Sequence, residues 1–130
     1  MRVLLVDDEE ELVSALAERL SLRGIDADWV CTCYGALERV ESKTFDIAVL
    51  DVKMPKMSGL ELKRRLQEKC PDMKFIFVTG HGSENDFQAA LSEAGTAYYL
   101  VKPLNIQTLI DKMNQALKGR GKEANHELEM

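Results

Sequence analysis

The chain has 130 residues, with 17 Lys and Arg against 22 Asp and Glu, a formal charge of −5 and a pI near 5.1. That length predicts one small domain able to bury a core, and 45% hydrophobic with 30% charged residues excludes a disordered or collagen-like chain. The acidic balance argues against direct DNA or RNA binding, which needs clustered Lys and Arg. The short apolar runs suit neither a bilayer span nor a signal-peptide core, so no membrane is expected and the protein is read as cytoplasmic.

A short aliphatic run, a turn signal and a helical period recur along the chain, which predicts parallel strands joined by crossover helices. The first strand is expected at Arg2 to Val6, followed by a helix on which Leu12, Val13, Leu16 and Leu20 share a face and which Gly24 terminates. The second strand is expected at Asp26 to Cys31. Asp46 to Leu50 and Lys74 to Val78 are nearly continuous apolar segments, the pattern of central strands buried on both faces. Ser58 with Glu61, and Ser83 with Asp86, place a hydroxyl three residues before a carboxylate, so the third and fourth helices should start there. A fifth strand is expected at Ala97 to Val101. The last helix carries Ile106, Leu109, Ile110, Met113 and Leu117 on one stripe, with Asn105 as its cap, and should end near Leu117. The domain is therefore placed at residues 1–118, and 119–130 reads as a polar tail or the start of a linker.

Cys31, Cys33 and Cys70 make an odd count at neither zinc nor thioredoxin spacing and read as reduced, packed thiols. Trp29 reads as a partly buried aromatic of an edge-side strand, and Met54 and Met57 as packing residues on either side of Pro55. His81 has no partner at metal spacing and reads as a loop residue flanked by glycines.

In a parallel α/β sheet the carboxyl ends of the strands share one rim, and ligands bind where the strand order reverses. On that rim the first strand ends in Asp7 and Asp8, the third in Asp51, the fourth in Thr79 and the fifth in Lys102. Singly, each has a plain explanation: helix-capping acids at 7 to 11, a turn aspartate, a β-branched strand residue, a solvated lysine before Pro103. Together, three carboxylates repel one another unless a cation neutralises them, and hard oxygen donors suit Mg²⁺. Mg²⁺ and Lys102 would bring the site near neutrality and ready for a phosphoryl group, with a carboxylate as nucleophile.

The segments VLLVDDEE, VLDVKMPKMSGLEL, FVTGHGS and YYLVKP resemble, in order, the motifs of the receiver domain of two-component response regulators, over about residues 1 to 118. The resemblance implies a flavodoxin-like (βα)5 fold with a five-stranded parallel sheet of order 2-1-3-4-5. It implies a signalling switch that accepts a phosphoryl group from a histidine kinase, or a phosphotransfer protein, onto Asp51. The chemistry would be limited to self-catalysed transfer onto its own aspartate and slow autodephosphorylation. In that pattern Asp8 matches the acid that binds Mg²⁺ directly, Asp7 the acid that holds it through water, and the backbone carbonyl of Lys53 a third protein ligand besides Asp51. Thr79 and Lys102 match the groups that bind the phosphoryl oxygens, and Gly80 the small residue that leaves them room. Thr79 and Tyr99 match the switch pair, and Pro55 and Pro103 shape the loops beside the site. The face altered would be that of the fourth helix, fifth strand and last helix, a surface for a homodimer or an output domain.

Thr96 and Tyr98 depart from the family pattern and bear on how that face packs, and Lys53 on how fast the phosphorylated form decays. FVTGHGS and the ending KEANHELEM further resemble transcription activators of the nitrogen-regulation type. Two other readings fit less well. A haloacid-dehalogenase-type phosphohydrolase wants a second aspartate two residues after the first, where this chain has Glu9 and Lys53. A flavin-binding module wants a phosphate loop after the first strand, where the acids would repel the phosphate.

Overall fold

The computed structural model describes residues 1–80 and 98–129. In chain order the elements are β1 (Arg2–Val6), α1 (Glu10–Leu22), β2 (Asp26–Val30), α2 (Cys33–Ser42), β3 (Ile47–Asp51), α3 (Gly59–Lys69), β4 (Lys74–Thr79), β5 (Tyr98–Val101) and α4 (Ile106–Glu129). All strands are parallel, in the order β2-β1-β3-β4-β5, the flavodoxin-like arrangement. The apolar segments at β3 and β4 lie inside the sheet, and every residue of β3 is buried.

Strand periodicity sorts the core into two layers, because successive side chains point to opposite faces. Leu4, Val6, Ala48, Leu50, Phe75 and Phe77 face α2 and α3, packing with Cys33, Ala36, Leu62 and Leu66. Val3, Leu5, Ile47, Val49, Ile76 and Val78 face α1 and α4, packing with Val13, Ala17, Leu20, Leu109 and Met113. On α1 and α4 the buried positions lie three or four residues apart, so each helix presents one stripe. Helices thus cover both faces, and the chain reverses direction across the sheet between β1 and β3, as the strand order requires.

The helix ends follow local chemistry. The Gly24 N–H donates to Ser21 O and the Ile25 N–H to Leu20 O, with Gly24 at φ +80°, a left-handed terminator that ends α1 where expected. Ser58 Oγ accepts from the Glu61 N–H at 3.1 Å and opens α3, and Asn105 Oδ1 accepts from the Thr108 N–H at 3.0 Å and opens α4. Thr32 caps α2 in the same way through the Gly35 N–H at 2.9 Å.

Some expectations shift. Strand β2 stops at Val30 rather than Cys31, β3 spans Ile47–Asp51 rather than Asp46 to Leu50, and β4 takes in Thr79. Helix α4 runs on to Glu129 instead of ending near Leu117. Gly119 and Gly121 each cost a helix only about 1 kcal/mol, and the good helix formers Lys122, Glu123, Ala124, Glu127 and Leu128 follow them. The expected helix start at Ser83, His81, Thr96 and the first residue of the fifth strand, Ala97, lie outside the described residues. Among the described residues, no helix is long and apolar enough to cross a membrane.

Candidate functional site

The pairing register brings the rim residues together. Val6 pairs with Leu50, so Asp7 and Asp51 emerge side by side from β1 and β3 at the reversal point. Asp51 pairs with Val78 and Thr79 with Val101, so Thr79 and Lys102 each stand one step further along the rim. The Lys102 N–H donates to Thr79 O at 2.8 Å, which ties the loop after β5 to the end of β4.

Asp7 and Asp51 use their two oxygens alike. Asp7 Oδ1 accepts from the Glu9 N–H at 2.9 Å, and Asp51 Oδ1 from the Lys53 N–H at 3.1 Å. The second oxygen of each faces Lys102 Nζ, at 2.7 Å for Asp7 and 3.3 Å for Asp51. Turns of this kind are a habit of aspartate, whose short side chain reaches a backbone donor two residues on. Here the habit fixes both carboxylates in position. Both aspartates are buried, whereas Asp8 is exposed.

Electrostatics follow from this crowding. Burial pushes the Asp51 carboxyl above the ordinary carboxylate range, and the charge of Asp7 adds to that, while Lys102 and the Lys53 N–H only partly offset them. Burial works against the charge on Lys102, but hydrogen bonds to Asp7 and Glu9 and the charges of Asp51 and Asp7 outweigh it and hold the ammonium above its ordinary pKa. Lys102 is therefore a permanent cation of the site.

Asp7, Asp8 and Asp51 each offer a carboxylate oxygen within 4.8 Å of the others. Three hard donors at that spacing fit Mg²⁺, which binds through a few carboxylates and keeps several waters. Among the described residues, nothing lies within 4 Å of where a side chain on Gly80 would begin. Thr79 is buried, and Tyr99 on β5 is 39% exposed.

The loop from Asp51 to α3 is held by three devices. The Met57 N–H donates to Pro55 O at 2.8 Å across Lys56, which sits at φ +71°, a tight and strained three-residue turn. Met57 is buried and its carbonyl accepts from Cys33 Sγ at 3.4 Å, while Met54 is partly buried against the same layer, as their assignment to packing required. Gly59 lies against the end of β3: its N–H donates to Val52 O at 2.9 Å, and a Cβ there would collide with the Asp51 carbonyl oxygen. Pro103 follows Lys102 through a cis peptide bond. The three cysteines are free thiols, and Trp29 is partly buried on the edge strand β2.

Two residues have a place at the site that the sequence does not single out. In the sequence Glu9 reads, with its neighbours, as a helix-capping acid, yet its side chain makes no cap hydrogen bond and instead contacts Lys102 Nζ at 2.8 Å. Gly59 is the second, although a glycine directly after the capping Ser58 is a visible signal of close backbone approach.

Comparison with known proteins agrees with this architecture. The model of the response regulator receiver domain family matches residues 3–114. The chain is 33% identical over 118 residues to the response regulator MprA of Mycobacterium avium (strain 104), covering 91% of this chain and 51% of MprA. It thus spans about half the length of that relative. A CheY-like response regulator receiver domain protein from Methanospirillum hungatei JF-1 superposes with a TM-score of 0.83 at 31% identity, over 94% of this chain and 97% of that one. A response regulator receiver domain protein from Clostridium thermocellum gives 0.83 at 28%, over 92% and 96%. The family model covers most of the chain, and the parallel sheet of order β2-β1-β3-β4-β5 is shared with these receiver structures, so the chain belongs to the response regulator receiver domains of two-component signalling.

Proposed function

We propose that this domain is a phosphoacceptor switch in which Asp51 takes a phosphoryl group from a histidine kinase or phosphotransfer protein, with Mg²⁺ held by Asp7, Asp8, Asp51 and the Lys53 carbonyl. The single observation that carries the reading is the convergence of Asp7, Asp8 and Asp51 on one pocket, with Lys102 in contact with two of them.

Asp51 is suited to be the nucleophile. Its Oδ1 is fixed by the Lys53 N–H, and its Oδ2 lies 3.3 Å from Lys102 Nζ. Attack by a carboxylate oxygen on phosphorus forms an acyl phosphate, and the P–N bond to the donor histidine breaks, leaving its imidazole; with acetyl phosphate as donor the bond broken is P–O and acetate leaves. The divalent ion, when bound, supplies positive charge to the equatorial oxygens. Lys102 supplies a fixed cation to the same oxygens, the Thr79 hydroxyl supplies a hydrogen-bond donor, and Gly80 leaves space for them.

The switch would be Thr79 drawing toward the phosphoryl group and Tyr99 turning inward from its exposed position on β5. An anion that interacts better with one arrangement shifts the balance by its differential binding energy, about 1.4 kcal/mol per tenfold change. The surface altered would include β5 and α4 and would meet a second copy or an output domain.

The test is chemical. After incubation with acetyl phosphate and Mg²⁺, borohydride reduction converts an aspartyl phosphate to homoserine, and peptide mapping should find that change at residue 51. Modification at any other carboxylate would contradict the assignment.

A further inference from the structure

Glu9 occupies the N-cap position of α1, where a short polar side chain would ordinarily accept a hydrogen bond from the first turn. It makes no such bond. Its carboxylate reaches across the rim instead, to Lys102 Nζ at 2.8 Å, as close as Asp7 at 2.7 Å and closer than Asp51 at 3.3 Å. The contact joins the start of α1 to the end of β5, 93 positions away in the chain. Lys102 is only 11% exposed at this point, whereas the Glu9 side chain is 62% exposed. The ammonium is therefore drawn to the α1 side of the pocket by Asp7 and Glu9, and its longest contact is the one to the acceptor.

We propose that Glu9 is a positioning residue that holds Lys102 on the α1 side of the pocket and competes for its ammonium with any anion carried on Asp51. The competition rests on the phosphoacceptor reading above; the clamp rests only on the geometry. The carboxylates of Asp7 and Asp51 are fixed by backbone N–H groups, but the Glu9 carboxylate has no partner besides Lys102 among the described residues, so it is the partner Lys102 can exchange for a phosphoryl oxygen. Glu9 would thereby favour the unmodified state. Because the pair is partly exposed, the bias is modest, about two- to five-fold, and should weaken with salt.

The experiment uses the full chain as wild type, Glu9→Gln, Lys102→Met and the double variant. In Mg²⁺-free buffer, urea unfolding should show the two substitutions to be non-additive, with a coupling of about two- to five-fold in the unfolding equilibrium constant. In Mg²⁺, beryllofluoride, which mimics a phosphoryl group on a carboxylate, should bind Glu9→Gln about two- to five-fold more tightly than wild type. In the Lys102→Met background the Glu9 substitution should leave beryllofluoride affinity unchanged. Additive unfolding energies would overturn the clamp. Equal tightening in both lysine backgrounds would also overturn the proposal, because Glu9 would then act by direct repulsion of the anion and not through Lys102. Failure of wild type to bind beryllofluoride would overturn the phosphoacceptor reading and the competition with it, and the unfolding cycle would decide the clamp separately.

Discussion

Lys102 Nζ lies 3.3 Å from Asp51 Oδ2 and so links the end of β5 to the end of β3, two strands that β4 separates in the sheet. The link spans 51 positions of chain and sets one partly buried cation against the acids of the rim. Asp7, Asp8, Glu9 and Asp51 outnumber it, so the pocket keeps a surplus of negative charge that a divalent ion would relieve.

Mg²⁺ should therefore stabilise the fold. With the ion at about 100 times its dissociation constant the gain is about 2.7 kcal/mol, read as a rise in the thermal or urea midpoint. Asp8→Asn should remove most of that gain while changing the metal-free midpoint little, because Asp8 is exposed. An undiminished Mg²⁺ effect in Asp8→Asn would take that residue out of the metal site.

Gly59→Ala should destabilise the domain by about 1–3 kcal/mol, since its Cβ would press on the Asp51 carbonyl oxygen and stand 3.0 Å from Val52 Cα, and backbone there cannot swing away as a flexible side chain would. The urea midpoint measures the cost. A change under about 0.5 kcal/mol, of the size usual at surface sites, would show that the end of β3 and the start of α3 separate freely.

Much of this arrangement was legible in the residues. β3 and β4 announced themselves as interior strands because an unbroken apolar run has no face left for water, and Asp51 and Thr79 then fell at their ends. Ser58, Asn105 and Gly24 marked helix boundaries because capping chemistry is local. What stayed hidden depends on register or on backbone contact. The partnership of Glu9 with Lys102 requires knowing how far β5 is staggered against β1, and an acidic run after a strand looks the same whether it caps a helix or holds a lysine. Thr32 opens α2 with no glutamate three residues later, so its cap had no signature. The positive φ of Lys56 is imposed by the turn, since nothing in a lysine side chain favours it.

Asp28 gives a prediction about pH that is independent of the site. Burial opposes its charge, but Lys43 at 3.0 Å and Arg39 at 2.9 Å prevail and hold its carboxyl below the ordinary range. A carboxylate whose pKa is lowered by folding contributes stability that is full above its unfolded pKa, about 3.9, and is lost as pH falls through the folded value. Wild type should lose its advantage over Asp28→Asn on acidification below about pH 4, in urea midpoints taken across that range. A constant difference down to pH 2 would contradict the pairing.

Lys102→Ala should retain Mg²⁺ binding, because the cation competes with Lys102 for the same oxygens, yet fail to couple modification of Asp51 to movement of Tyr99. Tyr99 ring signals in NMR spectra, with and without acetyl phosphate and Mg²⁺, report that coupling. A full Tyr99 shift in the variant would remove Lys102 from the switch.

The most direct measurement is the intact mass of the protein after incubation with acetyl phosphate and Mg²⁺, for wild type and for Asp51→Asn. Wild type should show a labile gain of about 80 Da that requires the metal, and Asp51→Asn should show none. The same gain in both proteins would show that the acceptor is another residue.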